Sequence, residues 1–153
     1  MITKNHSFLF NLCALVCMVL LFPSCNPEAM SVHDVEGEYT GKVEAEFAGS
    51  PMGVVKGAEH AVVTSPDNRG LAVAFDALKV AAFDLGSFTV DCGVEYDEKA
   101  GAFNLYGVPQ VEFAEYGKLP VKVSGTADAG LINLNLDITA LNLKLAYTGF
   151  KKK

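Results

Sequence analysis

Gly37–Phe47, "GEYTGKVEAEF", comes nearest of any stretch to a chemical motif: a glycine and then a Gly-Lys pair, the residue types that cradle a nucleotide phosphate. A phosphate loop needs four residues between its first glycine and the Gly-Lys, followed by Ser or Thr to reach magnesium. Only Glu38, Tyr39 and Thr40 intervene here, and Val43 follows Lys42. Glu38, Glu44 and Glu46 would in addition repel a phosphate. The spacing, the missing hydroxyl and the charge all exclude a nucleotide site.

The other residues with chemical potential are scattered. Beyond residue 24 the histidines are His33 and His60, too far apart in sequence to make a metal signature. A lone His60 in a strand pattern lacks the orienting partner that a general base requires. Cys92 falls among Phe88, Val90 and Val94, where a cysteine behaves as a small hydrophobe. Asp97 and Glu98 are neighbours in a turn and cannot flank a substrate as a glycosidase pair does. Asn133, Asn135 and Asn142 could form a polar patch for sugar, although the wet face of an antiparallel sheet needs polar residues in any case. No Gly-x-Ser-x-Gly, His-Glu-x-x-His or Ser-x-x-Lys occurs. The expectation is a protein that is not an enzyme and holds no cofactor or metal.

What Gly37–Phe47 does show is period two. Tyr39, Gly41, Val43, Ala45 and Phe47 share one face; Glu38, Thr40, Lys42, Glu44 and Glu46 share the other. That is a half-buried strand with one side in water. The pattern returns over 58–64, 71–75, 87–96, 102–108, 119–127, 131–138 and 141–148. Turn residues separate these runs, as in Ser65–Gly70, Asp97–Gly101 and Asp128–Gly130. Eight consecutive strands with no strong helix between them predict an antiparallel meander. Closing it buries every apolar face and removes both edges, so the last strand should pair with the first. The expected fold is all-β: an eight-stranded, up-and-down antiparallel barrel over 37–150.

The start of the chain of 153 residues belongs to export rather than to that fold. Lys4 precedes the 15-residue run Phe8–Phe22, broken only by Asn11. As a helix the run would be about 22 Å long, short of the ~30 Å of hydrocarbon that a span must cross. A positive start, a short apolar middle and a small-residue exit make a secretory signal over 1–24. "LFPSC", Leu21–Cys25, resembles the lipobox of bacterial lipoproteins, which implies lipid attachment at Cys25 and membrane association through that anchor. Ordinary cleavage leaving Cys25 as a thiol is the plain alternative. Residues 25–36 would then be the lipidated cysteine and a polar tether. Loss of residues 1–24 leaves 11 basic against 18 acidic residues, a balance of −7. That acidity argues against nucleic acid, and Lys151–Lys153 is too short a basic tail to reverse it.

"GEYTGKV", "LGSFTVDCGVEYDEKAGAFNLYG" and "LPVKVSGTADAGLINLNLDI…LAYTGF" together resemble the calycin-like barrel domains of lipoproteins from Gram-negative bacteria, over about residues 36–150. The resemblance implies a lipocalin-type barrel and a place at the outer membrane or cell surface, with a periplasm-facing position as the variant. Such barrels often hold one small apolar ligand. The family brings no catalytic residues to carry over.

Connection lengths add an expectation of their own. In a meander the odd connections share one end, and three of them are long: 48–57, 76–86 and 109–118. They carry Met52, Val54, Leu78, Val80, Phe83, Val111, Phe113 and Tyr116. A barrel mouth is a usual ligand site and long loops in compact domains are often functional, so these eight residues are candidate contacts for a small hydrophobic ligand. Two other uses stay open. The loops could plug the barrel, since a small eight-stranded barrel is just wide enough to be filled by side chains. They could also face a protein, making the chain an accessory subunit of a surface assembly.

Overall fold

The computed structural model describes residues 29–55 and 59–153; the expected signal segment, Cys25 and Ala58 lie outside them. Along Gly37–Phe47 (β1) Tyr39, Val43 and Ala45 are buried while Glu38, Thr40, Lys42 and Glu44 are exposed, so period two sets the facing of the first strand. Ten further strands follow: Ser50–Val55 (β2), His60–Thr64 (β3), Gly70–Val80 (β4), Phe83–Asp97 (β5), Ala102–Gly107 (β6), Gln110–Phe113 (β7), Gly117–Pro120 (β8), Lys122–Ala127 (β9), Leu131–Ile138 (β10) and Leu143–Lys151 (β11). β3 and β2 lie along the same edge of β1, β3 against Gly37–Thr40 and β2 against Val43–Phe47, and so make one stave between them. β7 and β8 pair only with each other. The remaining wall is an eight-stave antiparallel barrel.

Closure is direct. β1 pairs with β11 from Tyr39↔Lys151 to Phe47↔Leu143. Gly41 explains the glycine of the false phosphate motif, because a Cβ there would run into the Thr148 carbonyl oxygen on β11. The residue serves the seam of the barrel and not a ligand.

Aromatic rings fill the interior. Phe75 on β4 meets Tyr147 on β11 nearly edge-on at 5.2 Å, and meets Phe88 on β5 at the same distance. Leu134, Leu136, Ile132 and Ile138 from β10 and Leu143 and Leu145 from β11 complete the packing. Cys92 is buried in this wall, and burial pushes its thiol up to about 12, so it stays protonated at neutral pH.

The base is closed by the last part of the expected tether, which is structured. Ser31 caps a single helical turn, Val32–Val35 (α1), through a reciprocal bond with Asp34: the Ser31 amide donates to Asp34 Oδ2 at 2.8 Å. Val35 is fully buried, and Met30 and Val32 pack against the core. The Tyr39 hydroxyl donates to the Val35 carbonyl at 2.6 Å, and Glu36 accepts the Ser65 amide at 2.6 Å. A hydrogen bond from His33, then the one from Ser65, holds the Glu36 carboxyl below its ordinary range. The tether's polar composition hides three apolar positions, Met30, Val32 and Val35, that dock it.

Candidate functional site

The end of the barrel opposite α1 is where the long odd connections were expected, and there they are paired hairpins. β1 and β2 join through Ala48 and Gly49, both at positive φ as two-residue turns of type I′ require. β4 and β5 run on past the barrel wall and turn at Ala81–Ala82, with register shifts around Leu78. β7 and β8 form the third hairpin, closed at its root where the Val121 amide donates to the Pro109 carbonyl at 3.0 Å. The expected loops are therefore corrected: pairing persists through all three, and bulges conceal it in the first two.

The hairpins lean on one another. Gly86, at φ 65, leaves room for Ala114, and the Ala114 amide donates to the Leu85 carbonyl at 3.2 Å. A Cβ on Gly86 would approach the Ala114 Cβ to 2.6 Å. Phe113 sits edge-on to Phe88 at 5.0 Å, which carries the third hairpin's apolar face onto the barrel core. Above it Phe83 stands 5.2 Å from Phe47 and 6.2 Å from Tyr116, so all three hairpins contribute one ring to a shared cluster. Lys79 pairs with Asp84 at 2.6 Å across the second hairpin; the pairing raises the lysine's pKa and lowers the carboxylate's.

This geometry divides the eight candidate contacts into three groups. Leu78, Val80, Val111 and Phe113 are buried in the core and present no surface to a ligand, because the hairpins fold inward as a plug. Phe83 and Tyr116 are half-buried in the aromatic cluster. Met52 and Val54 stand exposed on β2, Val54 at 57 %. Two residues of the lid depart from the sequence reading. Phe47, on the inner face of β1 by its period, is 39 % exposed at the tip, while Leu85, within the expected connection 76–86, is fully buried; Val121 is buried as its alternation predicts. Gly86 was the available signal for close packing, since a glycine inside a strand marks a bulge or the approach of another backbone.

The remaining polar candidates are structural or superficial. Asp97 accepts the Lys99 and Ala100 amides in its turn, and Asp128 accepts those of Gly130 and Leu131. Asn142, expected within a strand, instead takes a left-handed conformation at φ 50 after the 3-10 turn Thr139–Leu141. Its carbonyl accepts the Ala48 amide, tying that turn to the first hairpin. Asn133 accepts from Thr148 on the outer face. Among the described residues no three His, Cys, Asp or Glu side chains gather as metal ligands.

No family model matches the chain, and no curated protein matches it. A solved structure from Bacteroides fragilis NCTC 9343, described as a "putative outer membrane protein", is similar in fold at a TM-score of 0.59 and 15 % identity. The match covers 80 % of this chain and 52 % of that one, so the chain spans about half the length of that neighbour. At such identity the likeness concerns the fold alone.

Proposed function

We propose that the chain is an exported, non-enzymatic barrel module, anchored by lipid on Cys25, that serves as an accessory subunit of an outer-membrane or cell-surface protein assembly. The observation that carries this is the filled barrel: Phe113, Val111, Leu78 and Val80 occupy the end where a ligand would enter. A plugged barrel works through its exterior. The lid presents Phe47, Met52 and Val54 to solvent, with Val108 exposed at the end of β6. Exposed apolar groups gathered at one end suit a protein partner. The chain enters at the base through α1, so an anchor on Cys25 would turn the lid away from the membrane. The outer-membrane description of the Bacteroides fragilis neighbour agrees with that location.

Photo-crosslinkers placed at Met52 and at Val54 in cells should each trap one protein partner. The same group at Phe150, exposed near the base, should trap none. Absence of a common partner at the two lid positions would overturn the proposal. Palmitate labelling that survives Cys25→Ser would remove the anchor alone. The half-exposed rings of Phe83 and Tyr116 favour a second reading, a small apolar molecule held within the lid cluster. Lipid in an organic extract of the purified protein would support it, and an empty extract would retire it.

A further inference from the structure

β2 leaves one edge of the barrel wall open at the lid. Among the described residues it pairs with β1 alone and makes no extensive contact with any other element. β4 runs beside β3 as far as Phe75 and beyond that point pairs only with β5. We propose that the free edge of β2 takes an extended strand from a partner protein, apolar opposite Val54 and basic at the end nearer β3. The proposal rests on the reading of the lid as a docking surface for protein, and gives that partner its shape and chemistry.

Register shows which main-chain groups the edge offers. The Gly41 amide donates to the Glu59 carbonyl at 2.7 Å, so Gly41 turns its main chain toward the side of β1 that β3 and β2 share. Alternate residues of a strand turn the same way, and Val43 and Ala45 therefore exchange hydrogen bonds with Val55 and Gly53 opposite them. Val54 lies between those two and directs both its N–H and its C=O away from β1. Pro51, opposite Glu46, is turned away as well but offers a carbonyl alone. A donor and an acceptor presented together by one strand residue are met by another extended backbone, as in strand addition.

Side chains define the incoming strand. Val54 sits across from the exposed Glu44, so its own side chain stands on the outer face. The residue added opposite it shares that face and meets an exposed valine. Edge strands are ordinarily blunted by proline, bulges or charge. β2 has the first two at its Ser50 end, in Pro51 and the bulge before Gly53, and neither at Val54. Glu44 is already paired with Lys42, whereas Glu59 and Asp76 stand exposed just beyond the last β3–β4 pair, Ala61↔Phe75. With −6 on the whole chain, that foot of the opening favours a basic residue. A second copy is the poorer occupant. It brings a further −6 and an edge equally short, too little for the roughly 1,200 Å² that stable protein pairs bury.

The test uses synthetic heptapeptides Lys-Xaa-Thr-Xaa-Thr-Xaa-Lys, with valine, isoleucine, leucine or phenylalanine as Xaa, titrated into the purified full-length protein. At least one should bind and slow hydrogen exchange at the Val54 amide. In the added strand the Xaa residues face outward beside Val54 and point their N–H groups at β2. N-methylation of the Xaa residues should therefore abolish binding, and N-methylation of the threonines should spare it. Val54→Pro removes an amide that bonds nothing in the barrel, and should weaken the Kd at least tenfold with the melting temperature unchanged. Val54→Thr keeps the amide and should keep the binding. No binding by any peptide, or binding indifferent to both methylation patterns, overturns the proposal. So does a dimer of the free protein that Val54→Pro dissolves. In cells, a partner trapped from Met52 should be lost with Val54→Pro and kept with Val54→Thr. Its survival in both would sink the added strand and leave the lid's docking role standing. Peptides bound at Val54 with no partner trapped at all would sink that role and leave the strand site.

Discussion

Gly41 shows how a residue can look like chemistry and act as geometry. Its neighbour Lys42 is exposed and pairs with Glu44 at 2.7 Å, so the lysine of the false motif is already held on the wet face by a carboxylate. Gly41 itself faces the β11 backbone with no room for a methyl group. Gly41→Ala must push β1 away from Thr148 at the seam that closes the barrel. The expected loss is about 1–3 kcal/mol, as for an extra carbon forced into a packed site, read from urea unfolding. Nucleotide should bind neither parent nor variant. A variant as stable as the parent would show that the seam relaxes freely and that the glycine is incidental.

At the scale of the element, the staves were legible and the hairpins were not. β9 and β10 alternate throughout and β1 does so as far as Ala45, so period two revealed both their existence and their inward faces. The strands of the first two hairpins break the period. β1 and β2 shift register between Ala45 and Glu46, with Gly53 at φ 82 opposite; β4 and β5 shift between Phe75 and Leu78. A bulge adds a residue on one strand and moves every later side chain to the other face. Leu78 and Val80 therefore looked like loop residues while belonging to a paired, inward-facing strand. The same cause concealed that Leu78 and Val80 are core. Nothing local in the sequence distinguishes Phe113, which reaches Phe88, from Tyr116, three residues on at the edge of the cluster. Their energetics should differ. Phe113→Ala should cost about 3–5 kcal/mol by opening a void over Phe88. Tyr116→Ala should cost about 1 kcal/mol, near the centre of ordinary substitutions. Equal and small losses in chemical denaturation would mean that the lid is detachable and the barrel not plugged.

The whole molecule is a wall sealed at β1 and β11, closed below by α1 and above by three hairpins, and titratable groups caught inside it inherit that enclosure. Burial pushes Tyr39, Tyr147 and Cys92 each up to about 12, from ordinary values of 10.0, 10.0 and 9.0. Between about pH 9 and 12 the unfolded chain gives up these protons while the folded chain keeps them. Fewer protons on the unfolded state make stability fall as pH rises, so these groups contribute fully below pH 9 and progressively less above it. The melting temperature should hold steady through neutral pH as far as these groups govern it, and drop across that alkaline window. The comparison of variants, which share every other group, carries the argument. Tyr147 has a buried hydroxyl with no hydrogen-bond partner among the described residues, in space left by Gly149. Tyr147→Phe should leave neutral stability intact or slightly raised, and should make the alkaline fall shallower. Tyr39 differs in one respect: its hydroxyl holds the Val35 carbonyl, and so fastens α1 to the base. Tyr39→Phe should flatten the alkaline fall similarly but cost about 1 kcal/mol at neutral pH, the usual worth of one such bond. Identical alkaline slopes in parent and both variants would mean that water reaches these hydroxyls, and that the barrel is open at one of its ends.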